Sequence, residues 1–340
     1  MSARLRLILL LARPPVLILL GLFTATGMAE AGRPEDPVLL ARCLAAVAAF
    51  LLFSVACNDL ADEAIDRVNL PGRRPLAAGL LTRSVFTVIG VAAGAVALAA
   101  SATLSWRALA VTAAGLAISA GYSLRPVRLA DRGAVASLVL PAGYVAVPYL
   151  VGVLAVRATV RPADIVLLAG LYLGFIGRIL LKDFRDVRGD ALFGKRTFLV
   201  RHGRRRTCVV SACCWTAGTA VVLAATRHPS AALAAAETAC TVAALGLLAA
   251  LARSRSFRRD EGIITAIAIV GRGMILLLLA HLSMVTAGWP AAAYGVVMAA
   301  LSLAIAGPAV SVARHGPVSR LTVPDWQLAA PPLDAIRLCR

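Results

Sequence analysis

One stretch of the chain, residues 58–79, reads NDLADEAIDRVNLPGRRPLAAG and follows directly on a long apolar run. On an α-helix, Asn58, Asp62 and Asp66 are spaced i, i+4 and i+8 and project toward overlapping faces, and Asp59 lies three residues before Asp62. Like charges about 4 Å apart repel by roughly 4 kcal/mol at an effective dielectric near 20. One arginine, Arg67, cannot neutralise them all. The pattern therefore predicts a divalent metal that carries an anionic ligand.

The composition of the chain assigns it to the bilayer. Hydrophobic residues make up 60% of its 340 residues, charged residues make up 15%, and the mean hydropathy is +0.84. These values describe a polytopic membrane protein and exclude a large soluble core. The net charge of +18 would favour nucleic acid in a soluble protein. Here the arginines cluster in short loops between apolar runs, so we expect the lipid bilayer, and no nucleic acid, as a partner.

Ten apolar segments are long enough to cross a bilayer, which takes about 20 residues each. We interpret the first as a transmembrane helix and not as a signal peptide, because no clear soluble domain follows it. The last is weakened by Gly307 and Pro308, so we expect nine or ten spans. We predict a transmembrane domain over residues 1–312 and an irregular tail over 313–340. The ten segments are 6–29, 37–57, 84–103, 106–122, 133–156, 163–181, 207–226, 230–252, 262–286 and 290–312.

Basic residues distinguish the two sides of the membrane. The loops after the second, fourth, sixth and eighth segments carry most of the arginines and lysines, whereas the alternate loops carry only Arg33, Arg107, Arg157, Arg161 and Arg227. Cytoplasmic loops are enriched in these residues. We therefore expect a multi-pass protein of the cell membrane whose N-terminus and even-numbered loops are cytoplasmic.

A second acidic stretch, residues 182–203, reads KDFRDVRGDALFGKRTFLVRHG. Asp183, Asp186 and Asp190 are spaced i, i+3 and i+7, which again places them on one face of a helix. Both stretches follow an even-numbered segment, so both lie at the same membrane face. Two such loops that face one cavity can share two or three Mg²⁺ ions, which prefer carboxylate and phosphate oxygens. A glycine and a basic pair follow in each stretch, Gly72 to Arg74 and Gly194 to Arg196.

A cavity with many carboxylates, nearby basic residues and apolar walls suits a diphosphate with a long hydrocarbon tail. The aspartates would hold Mg²⁺ on the diphosphate, and arginines and lysines would contact its oxygens directly. Together these groups would stabilise diphosphate as a leaving group. A water-poor cavity would protect the allylic carbocation that remains. The candidate substrate-binding residues are Arg74, Arg128, Lys182, Lys195 and Arg196.

Three motifs in this order resemble those of the UbiA-type intramembrane prenyltransferase superfamily. The first stretch is similar to the family's NDxxDxxxD motif, and GRRPLAAG is similar to its RPxxxG element. The second resembles the DxxDxxxD form found in homogentisate-type and archaeal-lipid-type members. Between them, YSLRPVRL from Tyr122 to Leu129 resembles the YSxxPxRLK loop, although Ala130 replaces the closing lysine.

The resemblance implies an all-α bundle around a central cavity with two Asp-rich cytoplasmic loops. It implies that Mg²⁺ and a prenyl diphosphate bind there, and that Tyr122 lies at the substrate site. The tenth segment would be an addition to the nine spans common in the family. The residues it assigns to the metal and to catalysis are Asn58, Asp59, Asp62, Asp66, Asp183, Asp186 and Asp190.

The leading hypothesis is Mg²⁺-dependent transfer of a prenyl group from a polyprenyl diphosphate to an acceptor. In the family the acceptor is most often an aromatic ring carbon. The sequence leaves a lipid or sugar hydroxyl open as the alternative acceptor. A UbiA-type terpene cyclase, which quenches the cation within its own chain, is the alternative. A transporter is a distant alternative, because its motifs should lie on broken helices at mid-membrane and not at span ends.

Some of these residues also have a purely structural interpretation. The second acidic stretch can form a salt-bridged helix face, and Tyr122 can be an interfacial residue. Arg178 and Arg272 lie near the cytoplasmic ends of their segments. The sequence leaves two interpretations for them, snorkelling to the interface or contact with the diphosphate.

Overall fold

The regular structure of the described chain is helical. The computed structural model describes residues 3–69, 74–226 and 229–316, and within these ranges it contains α-helices joined by turns. A 3₁₀ turn (Leu129–Asp131) precedes α6, and a π-helical turn (Ala142–Ala146) joins α6 to α7. The helices are α1 (Ala3–Ala12), α2 (Pro14–Glu30), α3 (Pro37–Asn69), α4 (Arg83–Ala102), α5 (Trp106–Ser123), α6 (Ala134–Pro141), α7 (Val147–Val156), α8 (Pro162–Ile179), α9 (Asp183–Leu192), α10 (Phe198–Ala225), α11 (Ala231–Arg253), α12 (Phe257–Thr286) and α13 (Ala291–His315).

All ten predicted segments are helical, which confirms an all-α bundle of membrane-spanning type. Within the described ranges, eight stretches are long and apolar enough to cross a membrane. The first segment contributes a shorter apolar helix, α2, and the fourth corresponds to α5. The choice between nine and ten spans stays a prediction. The eight stretches are Pro37–Val68, Arg83–Ala102, Ala134–Val156, Pro162–Arg185, Phe198–Ala225, Ala231–Arg253, Arg258–Thr286 and Ala291–His315.

Several helix ends differ from the predicted segment ends. The first segment is broken at Arg13, which has a left-handed backbone (φ 44°) before two prolines, since a residue that precedes proline is disfavoured in the α conformation. Helix α3 continues twelve residues past the predicted end at 57, so the first acidic stretch up to Asn69 is helical and not a loop. Helix α10 begins nine residues early, at Phe198. Hydropathy detects only the part of a helix that lies in the bilayer.

Helix α13 continues to His315, three residues into the predicted tail. Residues 317–340 lie outside the described part of the chain. The domain boundary at 312 stays a prediction.

Two glycines bring α2 and α7 into close contact. A Cβ atom built on Gly152 would lie 2.1 Å from the carbonyl oxygen of Thr24, and one on Gly27 would lie 2.2 Å from that of Tyr149. Small residues permit such an approach between membrane helices, where packing drives association. Phe23 lies on the same stretch of α2 and is buried. This contact fixes α2, whose first turn follows Arg13.

A bidentate ion pair ties α10 to α12. The guanidinium of Arg204 donates to both carboxylate oxygens of Asp260, at 3.0 and 2.6 Å. The paired geometry makes such contacts strong and directional. On the other side, Ser211 of α10 donates to the carbonyl oxygen of Gly177 in α8 at 2.7 Å. The short acidic helix α9 packs against α3 and α10.

Candidate functional site

The aspartates of the first acidic stretch are buried at the C-terminal end of α3. Asp59, Asp62 and Asp66 are 1%, 7% and 6% exposed. A buried carboxylate is costly unless a cation or hydrogen-bond donors compensate it. The structure supplies cations from three other parts of the chain.

Asp59 pairs with two arginines. Arg13 donates from Nη2 to Asp59 Oδ1 at 2.5 Å, and Arg74 Nη1 lies 3.5 Å from the same oxygen. Arg74 also reaches Asp66, with 3.6 Å between Nε and Oδ2. The second oxygen of Asp59, Oδ2, is buried and has no hydrogen-bond partner among the described residues. It is an acceptor that a cation could satisfy.

Asp62 is shared by Arg128 and Lys195. Arg128 donates from Nη2 to Oδ1 at 2.8 Å, and Lys195 Nζ lies 3.3 Å from Oδ2. Arg128 has a left-handed backbone (φ 38°) and also donates to Asp131 and to the carbonyl oxygen of Ala61. The loop with YSLRPVRL is thereby held over the end of α3.

The second acidic stretch forms helix α9 and meets the first through Lys195. Asp183 and Asp190 are buried, and Lys195 Nζ lies 3.8 Å from Asp190 Oδ1. One ammonium group therefore contacts an aspartate from each stretch. The side chain of Asp186 lies outside the described residues.

The turn after α9 positions Lys195. Gly194 has φ 68°, and the amide of Lys195 donates to the carbonyl oxygen of Asp190 at 2.7 Å. A glycine in this conformation just after a helix, with such a backbone bond, reverses the chain in a Schellman-type cap. Burial lowers the pKa of Lys195, but the charges of Asp62 and Asp190 more than offset this, so that its pKa is raised. Lys195 is therefore charged at neutral pH.

Two adjacent cavities of about 20 Å³ each lie beside these residues. Tyr122 and Leu140 line both of them, and Lys182 Nζ lies 3.4 Å from the hydroxyl oxygen of Tyr122. The other polar side chains that line the first cavity are Ser54, Asn58, Ser119, Ser123 and Tyr144, and those that line the second are Ser137, Lys182, Asp183, Asp190, Lys195 and Thr197.

Most of the predicted site residues with described side chains are brought together, and one is not. The side chain of Arg196 is exposed, whereas its neighbour Lys195 turns inward. Sequence reasoning missed Arg13, which it placed inside a transmembrane helix. An arginine within an apolar run, directly before two prolines, was the available signal, because an intramembrane charge normally has a partner.

The donor set suits Mg²⁺, which prefers hard oxygen ligands. The aspartates supply such oxygens, and Oδ2 of Asp59 is a buried acceptor without a hydrogen bond. No three His, Cys, Asp or Glu side chains among those described are close enough to hold an ion. Instead, arginines and lysine compensate the carboxylates. A diphosphate would offer those cations alternative anionic partners and so release carboxylate oxygens for Mg²⁺.

Comparison with known proteins gives a consistent result. A family model described as the UbiA prenyltransferase family matches residues 18–264. The digeranylgeranylglyceryl phosphate synthase of Natronomonas pharaonis is 31% identical over 209 residues, which cover 62% of this chain and 73% of that protein. The bacteriochlorophyll synthase 34 kDa chain of Chloroflexus aurantiacus is 28% identical over 154 residues, 44% of this chain. The match spans about half (48%) of the length of that relative.

Solved structures share the fold at low sequence identity. A UbiA homolog from Archaeoglobus fulgidus bound to GPP and Mg²⁺ aligns with a TM-score of 0.58 and 19% identity, over 81% of this chain and 99% of that chain. A digeranylgeranylglyceryl phosphate synthase aligns with a TM-score of 0.61 and 15% identity, over 82% and 97%. These likenesses concern the fold alone.

Proposed function

Since the chain belongs to the UbiA prenyltransferase family, we propose that it is a Mg²⁺-dependent intramembrane prenyltransferase. It moves a prenyl group from a polyprenyl diphosphate to an acceptor. The observation that carries this proposal is the position of Lys195, whose ammonium lies 3.3 Å from Asp62 and 3.8 Å from Asp190. Two acidic stretches more than a hundred residues apart thus meet at one point beside a cavity, as a shared diphosphate site requires.

The cations around the aspartates bind the diphosphate. Arg74, Arg128 and Lys195 exchange carboxylate oxygens for diphosphate oxygens, and Arg13 joins them from the break before α2. Fixed positive charges stabilise the negative charge that develops on diphosphate as its bond to the prenyl carbon breaks. These positive charges need not move when the bond breaks, because the surrounding helices already hold them in place.

The aspartates that would hold Mg²⁺ are Asp59, Asp62, Asp66, Asp183, Asp186 and Asp190. When bound, Mg²⁺ neutralises diphosphate and makes it a better leaving group. Tyr122 lies between the two cavities with its hydroxyl beside Lys182. It orients the substrate at the boundary between the polar end of the site and the apolar interior. The buried walls exclude water from the reactive prenyl cation.

The acceptor is an aromatic ring or the hydroxyl of a lipid or sugar. The name of the Natronomonas relative gives weight to a lipid-type acceptor. The basic residues of the even-numbered loops support a topology in which the N-terminus and the aspartate site face the cytoplasmic side of the cell membrane. Reporter fusions at positions 33 and 133, on opposite sides in this topology, test that orientation.

Membranes that contain the protein test the reaction. They are incubated with Mg²⁺ and labelled geranylgeranyl diphosphate, with or without an aromatic acid or a glycerol-phosphate lipid. Product should form only with an acceptor, and chelation of Mg²⁺ by EDTA should abolish it reversibly. Release of a cyclic hydrocarbon or alcohol without acceptor would establish the cyclase instead.

The variants Asp62→Asn and Asp190→Asn should lower turnover by at least about 100-fold, because each weakens charge stabilisation in the transition state. Glu35→Gln is the matched control, since Glu35 is exposed in the connection between α2 and α3. Full turnover of Asp62→Asn, with protein levels equal to wild type, would refute the assignment.

A further inference from the structure

A further cavity, apart from the aspartate site, lies among α2, α8, α10, α11 and α12. Its volume is about 60 Å³. One water molecule needs about 10–15 Å³ of such volume, so the cavity has room for a monatomic ion with a few water molecules. Its walls are mainly apolar, but Arg178 and Trp215 also line it. Neither of these two residues lines the cavities beside the aspartates.

Two buried N–H donors in the wall of this cavity lack a hydrogen-bond partner. They are Nη1 of Arg178 on α8 and Nε1 of Trp215 on α10, and no acceptor among the described residues reaches either atom. Trp215 is only 4% exposed. A buried donor without an acceptor is costly, and more so when it is charged. Two such donors in one wall indicate a ligand that accepts from both.

The two donor side chains meet where α8, α10 and α12 are in contact. A Cβ atom built on Gly271 of α12 would lie 2.9 Å from Cη2 of Trp215 and 3.8 Å from Cδ of Arg178. One built on Gly177, the residue before Arg178, would lie 2.6 Å from Cδ1 of Trp215, the ring atom that is bonded to Nε1. The two glycines therefore bring the indole against the helix that carries the guanidinium.

The positive charge of Arg178 also lacks a carboxylate partner. The ion pairs within the described ranges do not include this residue. Its guanidinium carbon lies 5.7 Å from the centre of the Phe175 ring, which provides only a weak cation–π contact. Charged side chains within membrane segments are almost always paired. The environment of Arg178 therefore favours a bound anion.

Glu237 of α11 supplies the carboxyl group in the cavity wall, but it lies too far away to pair with Arg178. The hydroxyl oxygens of Thr219 and Thr241 are 2.9 Å apart, so Glu237, one turn before Thr241, is level with about residue 223 of α10. That is eight helical residues, or about 12 Å, beyond Trp215. The side chain leans toward the N-terminal end of α11, away from Trp215.

The size and the walls of the cavity favour a halide over an oxyanion. Phosphate presents four oxygens and more than one charge, and two donors in a mainly apolar wall cannot compensate them. A halide carries a single charge on one atom, and two donors satisfy a larger part of its needs. The positive edge of an aromatic ring, such as that of Trp215, also favours an anion.

We propose that Arg178 and Trp215 bind a halide ion, chloride under ordinary conditions, in this cavity. Nη1 of Arg178 and Nε1 of Trp215 donate to the ion, and the ion compensates the charge of the arginine. It thereby stabilises the contact between α8 and α10. The site is separate from the diphosphate site and does not depend on the proposed reaction.

Thermal unfolding of the purified full chain in detergent, followed by circular dichroism at the helical band, tests the proposal. The sodium salts of chloride, bromide and gluconate are compared at equal ionic strength, because gluconate is too large for the cavity. A ligand that binds only the folded state raises Tm by mass action. At about 100 mM, chloride and bromide should each raise Tm by at least about 2 °C relative to gluconate. Equal Tm in the three salts would show that water alone fills the cavity and would overturn the proposal.

Two variants locate the ion. Trp215→Phe removes the indole donor and Arg178→Gln removes the charge, and each should abolish most of the halide-dependent increase in Tm. The matched controls are Trp289→Phe, at a tryptophan that is 49% exposed, and Arg205→Gln, at an exposed arginine of α10. Both controls should keep the increase. Trp215→Phe keeps the test valid if Arg178→Gln does not fold, and a full increase in Trp215→Phe would refute the proposal.

Two further variants exclude other positions for the ion. Glu237→Gln should keep the increase, whereas an increase seen in Glu237→Gln and not in wild type would show that Glu237 compensates Arg178. Lys195→Met should also keep it, and its loss there would place the halide at the aspartate site. Either result would overturn the proposal, whatever the outcome of the turnover assay. In crystals soaked in bromide, an anomalous peak should lie within hydrogen-bond distance of Arg178 and Trp215, and peaks confined to other places would contradict the site.

Discussion

Replacement of Gly152 by alanine should force α2 and α7 apart. The new Cβ atom would lie 2.1 Å from the carbonyl oxygen of Thr24 and 3.1 Å from the amide nitrogen of Met28. Both contacts are to backbone atoms, so no rotation of a side chain relieves them. An ordinary contact begins at 3.4 Å, so the helices must separate by 3.4 − 2.1 = 1.3 Å at this point.

Such a separation loosens the packing around it. Leu20, Phe23, Tyr149 and Val153 are almost completely buried beside this contact. A gap of about 0.5–1 Å already forfeits a quarter to a half of the dispersion energy between atoms that face it. Overpacked sites usually cost about 1–3 kcal/mol, and the backbone contact places Gly152→Ala at the upper end, about 3 kcal/mol. That loss corresponds to a decrease in Tm of about 6–12 °C.

Thermal unfolding of the purified protein in detergent, followed by circular dichroism at the helical band, measures this effect. Gly246→Ala is the control, because a Cβ atom on Gly246 of α11 has no atom within 4 Å. Its Tm should equal or slightly exceed that of wild type, since alanine favours the helix by up to about 1 kcal/mol. A Tm of Gly152→Ala within 2 °C of the control would refute the argument from close packing.

Two further predictions concern the aspartate site. Arg13→Gln removes the nearer cation from buried Asp59 and should lower the free energy of unfolding by about 3–5 kcal/mol. In the double variant, Asp59→Asn should recover part of the free energy of unfolding that Arg13→Gln loses. A double-mutant cycle of thermal unfolding measures this recovery. Strictly additive losses would contradict the ion pair between Arg13 and Asp59. Because the pKa of Lys195 is raised by Asp62 and Asp190, its stabilisation is complete below the ordinary value of 10.5 and is lost as pH rises through the folded pKa. The Tm difference between wild type and Lys195→Met should therefore be constant from pH 7 to about 10 and narrow above it, whereas narrowing below pH 9 would contradict the raised pKa.

The sequence by itself determined the class of the protein and the local geometry of its motifs. Apolar segments of about 20 residues specify membrane helices because the bilayer sets their length. The i, i+4 and i+8 spacing from Asn58 to Asp66 groups these side chains on one helical face because it depends only on the helical repeat. The paired acidic stretches were also sufficient to indicate a shared diphosphate site before any contact was known.

Only the tertiary structure decided which charges meet. Arg13 and Asp59 are 46 residues apart, and Lys195 and Asp62 are 133 residues apart, so no local pattern connects them. The same holds for the inward turn of Lys195 beside exposed Arg196. Spacing within a helix fixes the relations of residues a turn or two apart, whereas these contacts depend on how close the helices lie. That closeness is set by packing, as at Gly27 and Gly152, where the absence of a side chain allows two backbones to touch.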